Sequence, residues 1–356
     1  MLFRSVLQNM ADYDHEQILF GYDKVSGLKC IIAIHNTTLG PALGGLRIWP
    51  YKSEDEALFD VLRLSVGMTY KNAAMGLDFG GAKAVMIHDP NTEKPEELMR
   101  AFGRMVEGLA GRYYTAEDVG STLDDLVNVR KETTYVAGLP GTSGNPSPVT
   151  GWGVYNAMKA TAKRLWDSDC LKGKKVAVQG CGNVGFSLIQ HLLEEGATVY
   201  ATDMFENKIE RAKAAGAIPV EMDKVYDLDV DIFAPCALGA ILNDDTIPRL
   251  KVKGICGSAN NQLLEPRHGK AVAARGILYS PDFIVNGGGV INCGEEFAPG
   301  GYNREQAMKR AAGIYDILLK IFALADERKI EPYEAANFYA EERIRKSLEQ
   351  KRMYFK

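Results

Sequence analysis

The order of hydrophobic and polar residues in the first third of the chain predicts an alternation of strands and helices. Residues 29–36 and 82–89 are almost continuously apolar, which is typical of buried strands. Between them, Ser53 and Glu56 have the spacing of a capping box, which predicts the start of a helix. Pro95 predicts the start of a second helix. The apolar positions that keep helical spacing in these two helices are Leu58, Val61, Leu62, Leu98, Phe102, Met105, Val106 and Leu109.

Residues 138–148, GLPGTSGNPSP, interrupt this pattern with the concentration of Gly, Pro and Ser that is typical of a hinge between domains. A helix over about 149–166 then leads into a regular succession of strand and helix patterns. Strands separated by helices predict a parallel, doubly wound sheet. The predicted strands lie within KKVAVQG, ATVYATD, DIFAPC, GICGSAN and GILYSPDFIVN.

The length of 356 residues is enough for two hydrophobic cores, because single cores seldom grow beyond about 250 to 300 residues. Two helices, at about 303–328 and 332–350, end the pattern, and we expect the C-terminal tail to pack on the N-terminal domain. The predicted fold class is therefore α/β with two domains. We expect one domain to comprise 1–140 plus 330–356 and the other to comprise 141–329.

Composition narrows the class of protein. Hydrophobic residues make up 46% of the chain and charged residues 25%, and the formal net charge is −4, which argues against nucleic acid or an anionic membrane as the main partner. We expect a cytoplasmic protein, because the sequence lacks a signal-type or membrane-spanning apolar segment and its six cysteines form no C-x-x-C pair. The five histidines lack the spacing of a metal site, so no metal is expected.

A candidate cofactor site lies in KKVAVQGCGNVGFSLIQ, where Gly180, Gly182 and Gly185 have G-x-G-x-x-G spacing between a predicted strand and a predicted helix. Such glycines permit a tight turn and a close approach of the backbone to a pyrophosphate, which the free N–H groups of the helix then bind. Asp203 ends the next predicted strand, where a carboxylate accepts hydrogen bonds from a ribose 2′-hydroxyl and repels a 2′-phosphate. The motif predicts NAD as the cofactor. The alternative is a glycine-rich turn of purely structural meaning.

Two lysines, Lys71 in VGMTYK and Lys83 in FGGAKAVMI, occur in apolar surroundings where an ammonium group is costly to bury. Burial and a neighbouring ammonium both lower the pKa of a lysine, which can then act as a general base near neutral pH. On this interpretation, Gly80 and Gly81 leave room for a substrate to reach Lys83. On the alternative, Lys71 ends a helix, where the macrodipole favours it, and Lys83 snorkels from the end of a strand.

Further motifs occur in order over nearly the whole chain: TTLGPALGGLRIWPY, GMTYKNAA, FGGAKAV, YYTAEDVG, GNPSPVTGWGV, PCALGAILNDDTI, GSANNQL and PDFIVNGGGVIN. Together they resemble the Glu/Leu/Phe/Val amino-acid dehydrogenase family, and the run from TAEDVG to GNPSPVT is most similar to its leucine dehydrogenases. The resemblance implies an oxidoreductase that uses NAD to deaminate an L-amino acid to a 2-oxo acid and ammonia. It also implies an N-terminal domain for substrate binding and oligomerisation, a Rossmann-type dinucleotide-binding domain, an active-site cleft between them and a homo-oligomer, often an octamer.

The resemblance implies roles for individual residues. Lys71 would bind the substrate carboxylate, Lys83 would be the general base that activates water, and Asp118 would handle the amino group and its proton. The alternative for Asp118 is a cap of a helix that begins near Ser121. Contacts with the substrate carboxylate or the nicotinamide end are implied for Gly44, Gly45 and Asn261, and a contact with the carboxamide for Thr150. The other cofactor contacts that the resemblance implies are Gly180, Gly182, Asn183, Val184, Gly185, Asp203, Ala237, Asn260 and Asn286.

By the same resemblance, Leu43, Ala116 and Val290 would form the pocket for the substrate side chain. Glutamate-specific members carry a lysine at the position of Leu43, and without it an unpaired buried carboxylate would cost several kcal/mol. Phenylalanine-specific members tend to carry glycine at the position of Ala116. We therefore expect leucine as the substrate, with isoleucine and valine also accepted. The sequence departs from the family pattern near Val290, at Gly287 and at Cys293-Gly294, which leaves the preferred side chain open.

Two alternative functions follow from these observations. Within the same family, the chain would be a dehydrogenase that prefers phenylalanine or valine. From a different class, it would be a non-catalytic sensor of amino acids or NAD that keeps the fold. The presence of Lys71, Lys83 and Asp118 together disfavours a sensor, because a sensor does not need a general base.

Overall fold

The structure is a computed structural model that describes residues 5–354 and divides into two compact units. The first unit comprises Met1–Asn145, Cys293–Tyr302 and Ala340–Lys356, and the second comprises Pro146–Asn292 and Asn303–Tyr339. Each unit contains its own β-sheet, so the chain is an α/β protein built on two sheets.

The described part of the chain contains twelve strands and thirteen α-helices. The strands are β1 Gln17–Asp23, β2 Leu28–Asn36, β3 Ala42–Leu43, β4 Leu46–Trp49, β5 Gly80–Ile87, β6 Tyr113–Tyr114, β7 Lys175–Gln179, β8 Thr198–Thr202, β9 Ile218–Pro219, β10 Ile232–Pro235, β11 Gly254–Ile255 and β12 Leu278–Tyr279. The α-helices are α1 Val6–Tyr13, α2 Glu54–Ala74, α3 Glu96–Glu107, α4 Leu123–Arg130, α5 Ser147–Trp166, α6 Asn183–Glu195, α7 Glu206–Ala214, α8 Arg267–Ala274, α9 Asp282–Val285, α10 Gly288–Glu295, α11 Arg304–Ala312, α12 Ile314–Arg328 and α13 Pro332–Tyr354. Short 3₁₀ helices occur at Asp223–Asp227 and Ile247–Arg249.

The first unit is built on a mixed sheet of six strands. Strand β2 pairs antiparallel with β1 and with β5, whereas β3 and β4 run parallel to β5, one after the other, and β6 pairs with β3. The parallel ladder pairs Leu43 with Gly81 and then Leu46 with Ala84. The interruption between β3 and β4 therefore lies opposite Lys83, in the middle of β5.

Strand β2 is almost continuously apolar because the sheet is covered on both faces. Successive side chains of a strand point to opposite faces, so Cys30, Ile32 and Ile34 join one hydrophobic cluster while Ile31 and Ala33 join another. Helix α3 contributes to the first cluster and helix α2 to the second. This arrangement confirms the strands predicted over 29–36 and 82–89, and it places α2 directly against the strand that carries Lys83.

The second unit is built on a six-stranded sheet in which every pairing is parallel, in the order β12-β11-β10-β7-β8-β9. This confirms the predicted doubly wound architecture. The chain passes from β7 to β8 on one side and later returns to β10 on the other, so the strand order reverses beside β7. In open parallel sheets, ligands bind beyond the carboxyl ends of the strands at such a reversal. The loop with Gly180 follows β7, and the loop with Asp203 follows β8.

The observed units differ from the predicted domain boundaries at three places, of which the shortest is 141–145, a segment that belongs to the first unit. Residues 293–302 belong to the first unit, where the ring of Phe297 packs against Phe79 and Tyr114 with centroids 5.4 Å and 4.6 Å apart. Residues 330–339 belong to the second unit, where Tyr333 packs on its hydrophobic core. The two longer differences result from contacts between residues far apart in sequence, which a pattern of Gly and Pro does not report.

The C-terminal helix α13 enters the first unit from Ala340 onwards. There Arg343 Nη1 donates to the Leu77 carbonyl oxygen at 2.6 Å, and Arg343 Nη2 lies 2.8 Å from Asp78 Oδ1. Tyr70 donates its hydroxyl hydrogen to Glu341 at 2.9 Å. These contacts hold the end of α2, which carries Lys71, because a helix leaves its last carbonyl groups without partners in the helix itself.

Several predicted elements change in detail. The Ser53 side chain accepts from Glu56 N at 3.1 Å, but the Glu56 carboxylate accepts from Lys52 N at 2.9 Å, so only half of the capping box forms. The segment DFIV, which was predicted as part of a strand, forms helix α9, which begins directly after Pro281. The helix predicted over 303–328 is divided at Gly313.

None of the helices within residues 5–354 combines the length and apolar character that a membrane span needs. All six cysteines lie in the described part of the chain and are free thiols. In the same range, no three or more His, Cys, Asp and Glu side chains are grouped so that they could hold a metal ion.

Candidate active site

The ion pair between the buried Lys83 and the half-buried Asp118 is the centre of the candidate site in the first unit. Lys83 lies in the middle of β5 with only 4% of its surface exposed, and its Nζ is 2.9 Å from Asp118 Oδ1. Asp118 follows β6 in the TAEDVG motif. The structure therefore excludes the interpretation of Lys83 as a residue that snorkels from a strand end, and it brings together the two residues predicted to be catalytic.

Asp118 is shared between two cations. Its second oxygen, Oδ2, accepts a hydrogen bond from Arg47 Nε at 3.0 Å. Burial alone would raise the pKa of Asp118, but the Lys83 ammonium and the Arg47 guanidinium outweigh this effect and hold that pKa below its ordinary value. The carboxylate is consequently ionised, and each of its oxygens has a charged donor.

Hydrogen bonds to backbone groups of the loop that carries Asp118 hold this loop to the sheet. Asp118 N donates to Ser121 Oγ at 2.9 Å, and this hydroxyl donates in turn to the Leu46 carbonyl oxygen at 2.8 Å. Lys94 Nζ donates to the Gly120 carbonyl oxygen at 3.0 Å. These contacts fix Asp118 beside β4 and β5 without using its carboxylate.

The alternative role of Asp118 as a helix cap is wrong. Helix α4 begins at Leu123, and its N-cap is Thr122, which forms a capping box with Asp125. Thr122 Oγ1 accepts from Asp125 N at 3.2 Å, and the Asp125 carboxylate accepts from Thr122 N at 2.8 Å. The Asp118 side chain is thus left to Lys83 and Arg47.

Gly44 and Gly45 let the backbone pass between the two segments that carry the ion pair. A Cβ atom on Gly44 would lie 1.7 Å from the Ala82 carbonyl oxygen, and one on Gly45 would lie 2.6 Å from the Glu117 carbonyl oxygen. Tyr113, which is fully buried, donates its hydroxyl hydrogen to the Gly44 carbonyl oxygen at 2.7 Å. The structure thus places both glycines beside Lys83 and Asp118; their contact with a substrate stays a prediction.

Gly80 and Gly81 serve packing and do not open a path for the substrate, contrary to our interpretation of the sequence. A Cβ atom on Gly80 would lie 1.9 Å from the Asn36 carbonyl oxygen, and one on Gly81 would lie 2.1 Å from Thr69 N. The space beside both glycines is therefore filled by the backbone of β2 and α2. Their absence of side chains allows α2 to approach β5 closely.

Lys71 is half-buried in the last turn of α2. This is the position that the helix macrodipole favours for a cation, so both interpretations of Lys71 remain open. The next residue, Asn72, is fully buried and donates through Nδ2 to the carbonyl oxygens of Leu43 at 3.2 Å and Gly80 at 2.6 Å. Sequence analysis did not identify Asn72, although it stands inside GMTYKNAA. It fastens the end of α2 to β3 and β5.

Of the predicted pocket residues, Leu43 and Ala116 lie in the first unit, and Val290 lies in the second. Leu43 is 2% exposed and Ala116 is 8% exposed. Ala116 accepts a backbone hydrogen bond from Leu46 N at 2.8 Å, so it adjoins the interruption between β3 and β4. The contact of these three side chains with a substrate stays a prediction.

The glycine-rich loop after β7 in the second unit has the conformation that its glycines predict. Gly180 has φ +102°, and a Cβ atom there would lie 2.8 Å from Ala237 N. A Cβ atom on Gly185 would lie 1.9 Å from the Gly180 carbonyl oxygen, whereas one on Gly182 would meet nothing within 4 Å. Gly185 therefore serves the packing of helix on strand, and Gly182 leaves space open for a ligand. Both roles match the dinucleotide-binding motif.

Helix α6 begins at Asn183 with no side chain capping its first turn, so the first N–H groups remain available to an anion. Asn183 is exposed and Val184 is half-buried, and both follow Gly182 directly. The residues at the start of α6 thus fit the phosphates of a dinucleotide.

Asp203 is fixed at the end of β8. Its Oδ2 accepts from Cys181 N at 2.8 Å and its Oδ1 accepts from Phe205 N at 3.0 Å, while 8% of its side chain is exposed. Sequence analysis did not anticipate Arg211, which reaches the loop from α7 and donates to the Cys181 carbonyl oxygen at 2.8 Å. Its guanidinium also lies 4.0 Å from the ring centroid of Phe186. Asp203 and Arg211 together hold the loop in shape.

Three asparagines lie beyond the carboxyl ends of β11 and β12. Asn286 Nδ2 donates to Asn260 Oδ1 at 2.7 Å, and Asn286 Oδ1 is buried without a hydrogen-bond partner within the described residues. Asn260 and Asn261 are exposed, and Asn261 has φ +50°, a left-handed conformation that asparagine adopts more readily than most residues. An orphaned acceptor beside exposed amides fits a polar ligand such as the nicotinamide end of a dinucleotide.

Thr150 lies near the start of α5 and is 8% exposed. Its Oγ1 donates to the Pro146 carbonyl oxygen at 2.9 Å and is the nearest atom, at 3.3 Å, to a Cβ placed on Gly289. Val290 is the next residue along α10. Thr150 and Gly289, the residue before Val290, are thus neighbours within the second unit.

The largest omission from the sequence analysis is Arg47 in β4. Its Nη1 lies 3.0 Å from Asp60 Oδ2, so this guanidinium bridges two carboxylates. Tyr51 also donates to Asp60, at 2.7 Å. Burial and the neighbouring Asp60 raise the pKa of the Tyr51 phenol above its ordinary value. The only signal in the sequence is an arginine inside the apolar strand LRIW.

Comparisons of the sequence and of the fold show which known proteins the chain is similar to. The sequence profile described as "Glu/Leu/Phe/Val dehydrogenase, dimerisation domain" matches residues 16–135, and the profile "Glutamate/Leucine/Phenylalanine/Valine dehydrogenase" matches 141–204 and 202–352. The chain is 55% identical to leucine dehydrogenase of Thermoactinomyces intermedius, covering 95% of this chain and 93% of that protein. It is 50% identical to phenylalanine dehydrogenase of Caldalkalibacillus thermarum, covering 94% and 92%. The crystal structure of L-tryptophan dehydrogenase from Nostoc punctiforme superposes with a TM-score of 0.85 at 46% identity, covering 96% and 99%.

Proposed function

Since the chain belongs to the Glu/Leu/Phe/Val dehydrogenase family, we propose that it catalyses the reversible oxidative deamination of L-leucine to its 2-oxo acid and ammonia. Isoleucine and valine are the other proposed substrates, because a pocket distinguishes one methylene by only about 1 to 3 kcal/mol. The observation that carries the proposal is the ion pair of the buried Lys83 with Asp118, whose charged atoms are 2.9 Å apart. The choice of leucine is supported by the identity of 55% with a leucine dehydrogenase over 95% of the chain.

NAD is the proposed cofactor. Gly180, Gly182 and the start of α6 would hold its pyrophosphate, and Asp203 would accept hydrogen bonds from its ribose. Asn260, Asn286 and Thr150 would lie toward the nicotinamide end, with Ala237 beside the loop. When bound, NAD supplies the acceptor for the hydride that leaves Cα of the amino acid.

Lys83 is proposed as the general base of the reaction. Its neutral amine would take a proton from the water that attacks the substrate imine, and the resulting ammonium would return a proton to the nitrogen as ammonia leaves. Such proton transfer contributes a factor of about 10² to 10⁴ to a rate. Asp118, held at 2.9 Å, orients the amine for both transfers. Lys71 is proposed to bind the substrate carboxylate, with Gly44, Gly45 and Asn261 as further contacts.

The substrate side chain is proposed to contact Leu43, Ala116 and Val290. None of the three can neutralise a carboxylate, so glutamate would be a poor substrate. The phenylalanine-preferring alternative is supported by the identity of 50% with a phenylalanine dehydrogenase, a lower value than for the leucine enzymes.

We further propose that the protein is a homo-oligomer, specifically an octamer. The match of residues 16–135 to a dimerisation domain supports self-association. Native mass spectrometry of the purified protein would show eight copies per particle; a monomer at micromolar concentration would contradict self-association, and another copy number would contradict the octamer.

The function is tested by absorbance of the reduced nicotinamide with NAD or NADP and a panel of L-amino acids at alkaline pH. We expect reduction of NAD with leucine, isoleucine and valine, and little with glutamate. A higher rate with phenylalanine than with leucine would overturn the substrate, and a higher rate with NADP would overturn the cofactor. No reduction with any amino acid, together with measurable binding of leucine or NAD by calorimetry, would establish the sensor instead.

A further inference from the structure

The guanidinium of Arg47 contacts two carboxylates: that of Asp118, which is the partner of the candidate base Lys83, and that of Asp60. Arg47 Nε donates to Asp118 Oδ2 at 3.0 Å and Arg47 Nη1 donates to Asp60 Oδ2 at 3.0 Å. The side chain is 21% exposed, as is that of Asp118, and that of Asp60 is 16% exposed. Four charges of alternating sign thus follow one another, beginning at the buried Lys83: Lys83, Asp118, Arg47 and Asp60.

We infer that Arg47 is a positioning residue for the proposed base, because it divides the negative charge of Asp118 between two cations and so weakens the hold of Asp118 on the Lys83 proton. The inference deepens the proposed function, since it concerns the same base. A buried lysine paired with a carboxylate of its own keeps its proton to high pH, because an opposite charge favours the charged form. A second cation on the same carboxylate acts in the opposite direction. It repels the ammonium and competes for the carboxylate oxygens.

Arg47 suits this task better than a lysine would. A guanidinium keeps its charge throughout the working pH range, so it does not exchange protons with Lys83. Its fork geometry places one N–H group on Asp118 and another on Asp60 at the same time. Asp60 in turn balances the charge of Arg47, and its carboxylate also accepts a hydrogen bond from the Tyr51 hydroxyl at 2.7 Å. The interaction of Asp60 with Arg47 therefore determines how strongly the guanidinium interacts with Asp118.

The other charged and titratable groups near the pair come from the elements packed around it. Tyr113 of β6 and Glu117 interact electrostatically with Asp118, and burial raises the pKa of both groups above their ordinary values. Arg63 of α2 lies 3.4 Å from Asp60 Oδ1 and is 52% exposed. Lys71 ends α2, and Lys94 holds the loop after Asp118. Among the cations with a described ion pair, Arg47 and Lys83 are the two that contact the Asp118 carboxylate.

Arg63 provides a matched control. It lines the same surface cavity of about 390 Å³ as Arg47 and Asp60, and it also pairs with Asp60. However, its described ion pair is with Asp60 alone, at 3.4 Å. Arg63→Gln therefore removes the same formal charge from the same cavity without freeing an oxygen of Asp118.

The first measurement follows the Lys83 amine directly in the protein without cofactor or substrate. Cyanate is a small reagent that carbamoylates neutral amines, and the fraction of modified Lys83 is read by mass spectrometry across pH 6 to 11. We expect the midpoint for Lys83 to rise by about one pH unit in Arg47→Gln. In Arg63→Gln the midpoint should move much less than in Arg47→Gln, because the described ion pair of Arg63 is with Asp60 and not with Asp118. In Asp60→Asn it should fall, because the freed guanidinium then binds Asp118 more strongly.

The second measurement is the pH dependence of kcat/KM for leucine in the same proteins. The substrate amine titrates identically in each, so a difference between variants belongs to the enzyme. We expect the acid limb to shift upwards by about one unit in Arg47→Gln, with about a tenfold lower value at neutral pH that recovers at high pH. Asp60→Asn should shift this limb downwards. A purely structural role would lower the rate at all pH values and would not produce shifts of opposite sign.

Unchanged Lys83 midpoints in both Arg47→Gln and Asp60→Asn would overturn the inference, as would equal shifts in Arg47→Gln and Arg63→Gln. If Arg47→Gln fails to give a cooperative thermal transition, Asp60→Asn and the charge-keeping Arg47→Lys replace it, and Arg47→Lys should lie between wild type and the expected glutamine result. The labelling needs no turnover. A protein without dehydrogenase activity would therefore contradict the proposed function, while the labelling would still decide the role of Arg47.

Discussion

A Cβ atom on Gly44 would stand 1.7 Å from the carbonyl oxygen of Ala82, the residue before Lys83. The obstacle is a backbone atom, so no rotation of a side chain can relieve it. The close approach exists because β3 and β4 pair with β5 on either side of this point. The geometry around Lys83 therefore depends on Gly44, which lies 39 positions earlier in the chain, at an interruption of the parallel ladder.

Gly44→Ala should destabilise the protein and abolish turnover. Separating β3 from β5 to admit a methyl group costs about 3 kcal/mol, and it moves the strand that carries Lys83. Urea denaturation and the rate with leucine measure the two effects. Gly67→Ala is the control, because Gly67 is exposed in α2 and a Cβ there would meet nothing within 4 Å. That variant should be more stable by up to about 1 kcal/mol. Equal stability of both variants would contradict the close approach.

Lys83→Ala should leave the fold and NAD binding intact and lower kcat by a factor of about 10² to 10⁴. The fold should persist because Asp118 keeps Arg47 as a partner at 3.0 Å. Calorimetry with NAD and steady-state kinetics measure the two properties. Lys159→Ala is the matched control in the second unit, since it removes an ion pair with Glu195 of 3.2 Å. The proposed base is refuted by a Lys83→Ala protein that keeps near-normal turnover.

Ala116→Gly should change the substrate preference toward phenylalanine. Removing one methyl group from the proposed pocket makes room for a ring, and we expect the ratio of kcat/KM for phenylalanine to that for leucine to rise about tenfold. Ala42→Gly controls for loss of stability, because Ala42 is fully buried in the hydrophobic core on the neighbouring strand. Its ratio should not change. A constant ratio in Ala116→Gly would remove Ala116 from the pocket.

Local periodicity and motif spacing were sufficient to predict β2, β5, the glycine-rich turn after β7 and the parallel sheet, because each depends on residues that are close in sequence. They were not sufficient for β3 and β6, which are two residues long and carry no periodic signal. Local periodicity also could not predict which residues lie beside Gly80 and Gly81, because these neighbours, Asn36 and Thr69, belong to two other elements.

The same limit applies to the candidate site. Lys83 and Asp118 were joined by a resemblance to known motifs, and their distance of 2.9 Å could not have been calculated from spacing. Arg47 was missed because its two partners are 71 residues later and 13 residues later in the chain. A charged residue inside an apolar strand is the one local sign that such a partner exists.

His15 should make the protein sensitive to acid. It is 8% exposed, its Nε2 lies 2.7 Å from Ser65 Oγ, and its Nδ1 is buried without a partner within the described residues. Burial, and then the neighbouring His35 ring, lower the pKa of His15 to about 4. The unfolded chain therefore binds a proton more readily than the folded one. The stabilisation is complete above about pH 6.5 and is lost as the pH falls toward 4, by about 3 kcal/mol.

Urea denaturation at pH 7 and at pH 4 measures this loss. In His15→Gln the difference between the two pH values should be smaller by about 3 kcal/mol than in the wild-type protein. His88→Gln is the control, because His88 contacts Thr92 and Glu93 at the surface. An identical pH dependence in His15→Gln and wild type would show that His15 does not contribute.

The return of α13 to the first unit has a consequence for biosynthesis. The ribosome synthesises most of the first unit before the second unit. The first unit is nevertheless complete only after the segment that begins at Ala340 has been synthesised. The second unit, made later, has all its residues before that segment emerges. A nascent chain can thus fold the second unit while the helix with Lys71 still lacks its contacts with Arg343, so the first unit completes its fold after the second.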